Sequence, residues 1–460
     1  MISNIFVVLI SVFISLSGCK KEDEYVIPDV PPGDEDTIAQ YGEPFNKVPA
    51  TEDIIMYEVN PRVFSQRGDL AGVQDRLDKL QQLGVNVVWL MPIYPIGDEN
   101  SVGSPYAVKD YTAIHEEYGT LENLRKLVDE AHDRDMAVIL DWVANRTAWA
   151  HEWIEDKSYY EQDAEGNITY PEDWQDVAEL NFDNSDMRQE MIAAMKYWML
   201  EANVDGFRCD YADGVPVDFW SQAIDTLKSM PDRDVIMFAE GTKKAHFDAG
   251  FELTFGWDFY NKLKDVYNQN ISVTNLENVN VSDYQNVPPG SHILRFTTNH
   301  DFNAWEATPQ EIFNGLDASV TAFAVTAYMG GVPMFYNGQE VGYPNQLPFF
   351  EGASITIDWA INPDILEEYT RLVEGRKNSE ALKNGSLEVL SSHQDVLVFK
   401  RVSGAEQVLF IANVRGSAID YPLPESVSNT SWTNVMEDAD VDLGSNLQLA
   451  AHQYVIVKNF

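Results

Sequence analysis

Between residues 54 and 336, short apolar runs alternate with stretches of helical period, and a chain that repeats this pattern eight times has few ways to fold. The runs fall at 54–59, 85–91, 136–140, 205–210, 235–240, near Phe251, at 293–298 and at 332–336. The run at 85–91, VNVVWLM, is apolar on both faces, as a buried parallel strand should be. Val73, Leu77, Leu80 and Leu83 recur at helical spacing, and Gly84 is placed to end that helix. Leu121, Leu124, Leu127, Val128 and Ala131 mark a second helix. Eight alternating units favour a closed (β/α)8 barrel of the TIM type over an open sheet.

The rhythm pauses once. Residues 146–179 are rich in Trp, Tyr, Asp and Glu without a clean period. Trp149, Trp153, Tyr159, Tyr160, Tyr170 and Trp174 need somewhere to pack, so this segment reads as an excursion from the barrel, with two of the six expected to touch a ligand and the rest to form its small core. After about residue 383 the helical period disappears. Short runs at 387–390, 396–400, 408–412 and 454–458, joined by polar turns, predict an all-β sandwich over 383–460. The barrel with its insert would occupy 50–382.

The first residues read as a targeting segment rather than as fold. Residues 5–16 are apolar but too short to span a bilayer comfortably, and they run into LSGC at 16–19. This resembles a bacterial lipoprotein signal over 1–18, cut before Cys19, which would then carry lipid and anchor the chain to a membrane. The acidic residues just after Cys19 resemble the export signal of surface lipoproteins in the Bacteroidetes. The expected location is therefore the cell envelope, on an outer membrane facing the cell surface, with the periplasmic side as the alternative. Residues 19–49 mix prolines and acids and read as a tether. The 74 acidic against 31 basic residues, a formal charge of −43, repel phosphate backbones and argue against a nucleic-acid partner. Two cysteines supply no disulfide framework.

Four of the strand-like runs end in residues that can do chemistry: DWVAN at 141–145, GFRCD at 206–210, FAE at 238–240 and TNHD at 298–301. Barrel strand ends converge on one mouth, so residues distant in sequence meet there. Hydrolysis of a glycoside with retention needs two carboxyl groups, one to attack the anomeric carbon and one to protonate the leaving oxygen. Asp210 and Glu240 close adjacent strands and suit those two parts. Arg208 lies two residues before Asp210, hence on the same side of the strand, where its charge would keep Asp210 ionised. The apolar lead-in to Glu240 would desolvate that carboxyl and raise its proton affinity. Cys209 points the other way and reads as a small buried hydrophobe.

On these segments, from about residue 54 to 460, the chain resembles the α-amylase family of glycoside hydrolases, with a barrel, a short inserted B domain and a C-terminal β domain. The resemblance implies that Asp210 is the nucleophile, Glu240 the acid/base and Asp301 the third carboxylate, which binds the sugar ring. It implies that Arg208 and His300 neighbour the reacting sugar. The segment around Ser104, Tyr106, Asp110 and Tyr111 is similar to the one whose tyrosine stacks under that sugar, which makes Tyr106 the candidate. GVPMFYNGQE at 331–340 is similar to the last strand of the family and its loop. Two departures stand out. Arg146 replaces the usual histidine after Asn145, and either donates to the sugar or turns away. Tyr211, Ala212, Asp213 and Gly214 replace the residues that shape the leaving-group side in many relatives.

Asn145 falls on a family calcium ligand, but partners for it in the insert are not recognisable, and the loop at 65–69 lacks the acid-rich pattern that binds calcium in some relatives. A structural calcium thus stays open, while catalysis of this kind requires no metal. No Cys/His cluster suggests zinc, and no glycine-rich phosphate loop is present. The expectation is a retaining hydrolase of α-glucosidic bonds in starch, maltodextrin or a related α-glucan. A transglycosylase on the same residues and a non-catalytic glucan-binding surface lipoprotein are the alternatives.

Overall fold

The computed structural model describes residues 38–350, 355–391 and 393–460. The signal segment, Cys19 and the first part of the tether lie outside the described residues. Residues 39–460 form one compact unit.

Eight parallel strands close into a barrel: β1 (Met56–Val59), β2 (Val87–Leu90), β3 (Ala137–Val143), β4 (Gly206–Asp210), β5 (Ile236–Ala239), β6 (Leu253–Phe255), β7 (His292–Arg295) and β8 (Val332–Tyr336). Sequence neighbours pair around the ring, and β1 pairs with β8 to close it. Every residue of these strands is buried, which explains why their runs are mostly apolar. The helix Leu77–Leu83 ends on Gly84 in the left-handed region (φ 96°), as the spacing predicts. Thr120 and Asn123 form a capping box at the start of helix Leu121–His132.

Register decides what meets at the mouth. β3 and β4 align so that Asp141 sits opposite Arg208 and Val143 opposite Asp210. β4 opens on Gly206 at φ 150°, and a side chain there would place its Cβ 1.9 Å from the Ile236 carbonyl oxygen of β5. Only glycine allows the two strands that end near Asp210 and Glu240 to approach so closely.

The excursion leaves the barrel after β3. A short antiparallel pair, Arg146–Ala148 with Val177–Glu179, closes its neck. Tyr160 is buried, Trp153 packs edge-on against Tyr159, Tyr170 is exposed, and Trp174 faces the barrel mouth. Of the six, Trp174 lines the cavity described below. Residues 39–49, inside the stretch read as tether, lie along the barrel: Phe45 stacks on His132 at 4.2 Å and the Tyr41 hydroxyl donates to Asp129.

Past the barrel, β9 (Ser386–Val389), β10 (Val396–Ser403), β11 (Glu406–Asn413), β12 (Ile419–Pro422), β13 (Thr430–Asn434), β14 (Asp440–Leu443), β15 (Asn446–Leu449) and β16 (Tyr454–Lys458) follow. A six-stranded sheet runs β9-β10-β11-β16-β13-β14, and β12 pairs with β15 in a second sheet. Val396, Val398, Leu409 and Ile411 of the large sheet share a core with Tyr421 and Leu449 of the small one, the expected sandwich. The other face, with Phe399 and Phe410, joins the core of the barrel and its helices.

Candidate active site

Arg208 organises the mouth. Its side chain is fully buried. Nη1 donates to Asp141 at 2.8 Å and to Asp210 at 2.9 Å, while Nη2 lies 2.6 Å from Glu240 Oε1. One guanidinium thus touches three carboxylates from three consecutive strands of the ring. The sequence places them 30 to 99 residues apart; the barrel brings them to one point.

Asp210 is held from both sides. Arg146 Nη2 stands 2.9 Å from its Oδ2. Burial favours the neutral acid, but Arg146 and then Arg208 outweigh it and hold the Asp210 carboxyl below the usual range. Arg146 is therefore turned into the pocket. Its ring-facing side lies 4.7 Å over Trp174, and its Nη1 donates to Asn145 Oδ1 at 2.7 Å. The sequence credited Arg208 with keeping Asp210 ionised; Arg146 is the larger contributor.

Glu240 behaves oppositely. Burial pushes its carboxyl up to about 7, against the pull of Arg208 and with help from Asp210 and Asp301. Its Oε2 accepts from the backbone N–H of Tyr211 at 2.8 Å. Tyr211 reaches that position in a left-handed conformation (φ 43°, ψ 44°), which is costly for a residue with a side chain. Its hydroxyl donates to Glu172 of the insert at 2.7 Å and its ring meets Trp174 edge-on. Asp213, two residues on, accepts from the backbone N–H groups of Thr242 and Lys243 and contacts His246. The residues that replace the usual leaving-group segment thus bolt the β4 and β5 loops together.

A second chain of contacts runs to Asp301. His300 Nδ1 meets Glu58 of β1, and its Nε2 lies 2.9 Å from the Tyr106 hydroxyl and 3.5 Å from Asp301 Oδ2. Burial disfavours the imidazolium, yet Asp301 and Glu58 overcome it and raise His300 to about 9, so the ring is charged at neutral pH. Both ring nitrogens then donate. The Tyr106 hydroxyl in turn donates to Asp141 Oδ2 at 2.9 Å. Asp141 is raised to about 6 by burial despite Arg208. Asp301 is the most open of the three carboxylates, with 40% of its side chain exposed.

Tyr106, Arg146, Trp174, Asp210, Tyr211, Glu240, Trp257, His300, Asp301 and Phe349 line one cavity of about 530 Å3. Every predicted site residue in the barrel is at this mouth; Arg208 and Asn145 stand just behind its wall. Sequence reasoning missed the parts of Glu58 and Phe349, and named Trp174 only as one of six aromatic candidates. Glu58 had a signal: a charge inside the apolar strand MYEV has to face a partner. Nothing in the sequence singled out Phe349.

Asn145 does not fit calcium. The oxygen that would face a cation accepts from a guanidinium, and a second positive charge beside it would be repelled. Among the described residues no group of three or more His, Cys, Asp or Glu side chains is arranged to hold a metal ion.

Two acids of opposed proton affinity beside a histidine at a barrel mouth are the groups that cleavage of a bond between sugars calls for. The wider likeness agrees. A family model described as Alpha amylase, catalytic domain, matches residues 33–176 and 170–384. Alpha-amylase 3 of Dictyoglomus thermophilum is 26% identical, over 82% of this chain and 87% of its own length. An oligo-1,6-glucosidase of Bacillus cereus is 21% identical, over 88% and 99%. Among solved structures, a noncanonic maltogenic alpha-amylase, AmyB, from Thermotoga neapolitana superposes with TM-score 0.78 at 26% identity, covering 88% of this chain and 98% of that one. The chain belongs to the α-amylase family and is a glycoside hydrolase.

Proposed function

We propose that the protein is a retaining hydrolase of α-glucosidic bonds in starch, maltodextrin or a related α-glucan, acting through a covalent glycosyl-enzyme. Asp210, held ionised by Arg146 and Arg208, attacks the anomeric carbon. Glu240, protonated near neutrality, gives its proton to the leaving oxygen and then takes one from the incoming water. Asp301 and His300 hold the ring hydroxyls, Tyr106 forms the apolar floor, and the charges of Asp210 and Asp301 favour the oxocarbenium-like transition state. The observation that carries this reading is the shared guanidinium. Arg208 contacts both Asp210 and Glu240, which suits the short carboxyl separation of retaining enzymes, about 5 Å.

Relatives named as α-amylases and an oligo-1,6-glucosidase support a glucosidic substrate. No calcium at Asn145 is part of this reading. So is an envelope location through lipid on Cys19, supported by the LSGC run; a Cys19→Ser variant should lose incorporation of labelled fatty acid. The test of the activity is release of reducing ends from soluble starch, with Asp210→Asn as control. Release by the parent and loss in the variant is expected. No release by the parent above the background of the Asp210→Asn control would favour the non-catalytic glucan-binding reading, and equal release by both would remove Asp210 as the nucleophile.

A further inference from the structure

Trp305 is 59% exposed, the most open tryptophan among the described residues with large exposed apolar side chains. It closes the six-residue helix His300–Trp305, which begins with His300 and Asp301, so its position is tied to the catalytic cluster. Its ring lies 5.5 Å from Phe349 and 5.5 Å from Phe350. Phe349 in turn stacks on Tyr106 at 5.8 Å (15°) and on His300 at 5.9 Å (22°). An unbroken series of rings therefore leads from the floor of the pocket out to solvent.

The shelf is built rather than incidental. Gln346 Nε2 donates to the Asn303 and Ala304 carbonyls, and the Leu347 N–H donates to Asn303 Oδ1 at 2.7 Å. These bonds fix the segment carrying both phenylalanines to the helix carrying Trp305. An exposed ring held in place keeps its apolar face ready for a partner. Pyranose units offer flat C–H faces that aromatic rings cover well, and they carry no charge to be repelled by a surface of formal charge −43.

We propose that Trp305, with Phe349 and Phe350, forms a second sugar-stacking subsite that takes a further glucosyl unit of the same α-glucan chain, beyond the unit gripped by the three carboxylates. This rests on the glucan reading above. The subsite gives long chains a grip that short ones cannot reach, so it tunes chain-length preference rather than bond cleavage.

The test compares kcat/KM on maltoheptaose and on maltotriose in the parent, Trp305→Ala and Trp305→Phe. The ratio of the two should fall about tenfold in Trp305→Ala and be largely kept in Trp305→Phe, which retains a ring. The same loss should appear as weaker calorimetric binding of maltoheptaose to Asp210→Asn,Trp305→Ala than to Asp210→Asn. An unchanged ratio, or an equal loss in Trp305→Ala and Trp305→Phe, overturns the subsite while leaving the glucan reading intact. A parent that neither cleaves nor binds either sugar overturns both.

Discussion

Arg146 stands where the family resemblance leads to the expectation of a histidine, and its effect has a sign. It is a permanent charge 2.9 Å from Asp210, so removing it favours the neutral acid. In Arg146→Ala the acidic limb of the kcat/KM profile should move to higher pH, which a pH–rate series will read. Glu240 governs the other limb. With its carboxyl at about 7, the group is protonated below that pH and active as an acid. Activity should therefore fall as pH rises through about 7. Glu240→Gln should lower kcat by about 10²–10⁴ and abolish that limb. The signs of both shifts were legible from Arg208 and from the apolar run before Glu240. The direction of Arg146 was not, because a side chain of that length reaches either way from the strand end, and only the Asn145 and Trp174 contacts settle it.

Among elements, the insert does more than cap the pocket. Glu172 grips the Tyr211 hydroxyl while the Tyr211 N–H holds Glu240, so an insert loop is coupled to the acid/base through one strained residue. Tyr211→Phe keeps the ring but loses that bond. It should lower stability by about 1 kcal/mol in denaturant titration and slow turnover several-fold. Strands of the barrel were readable because burial on both faces leaves an unmistakable apolar run. β12, β13, β14 and β15 were not. They are four or five residues long, carry Asp, Ser, Thr and Asn, and bury only part of one face, so their sequences look like turns. The strand near Phe251 was visible only as a location; its three residues, Leu253–Phe255, are too few for a period.

At the scale of the whole molecule, the C-terminal sheet is welded to the barrel rather than tethered. Phe410 stacks on Phe399 at 4.8 Å and meets Tyr328 of helix Leu316–Met329, while Arg401 Nη1 donates to the Met329 carbonyl at 2.6 Å. Phe410 is wholly buried in this seam. Phe410→Ala should cost about 3–5 kcal/mol and shift one shared unfolding transition; a separate early transition for the sheet would refute the coupling. The change of composition near residue 383 marked where the sheet begins but not how firmly it is held, since the joining rings lie on both sides of that point.

The proposed arrangement has Asp210 attack while Glu240 delivers a proton. Proton NMR of the first reducing ends released from an α-glucan tests it most directly. Double displacement predicts that they appear as the α anomer and equilibrate afterwards. First appearance of the β anomer would contradict a glycosyl-enzyme on Asp210.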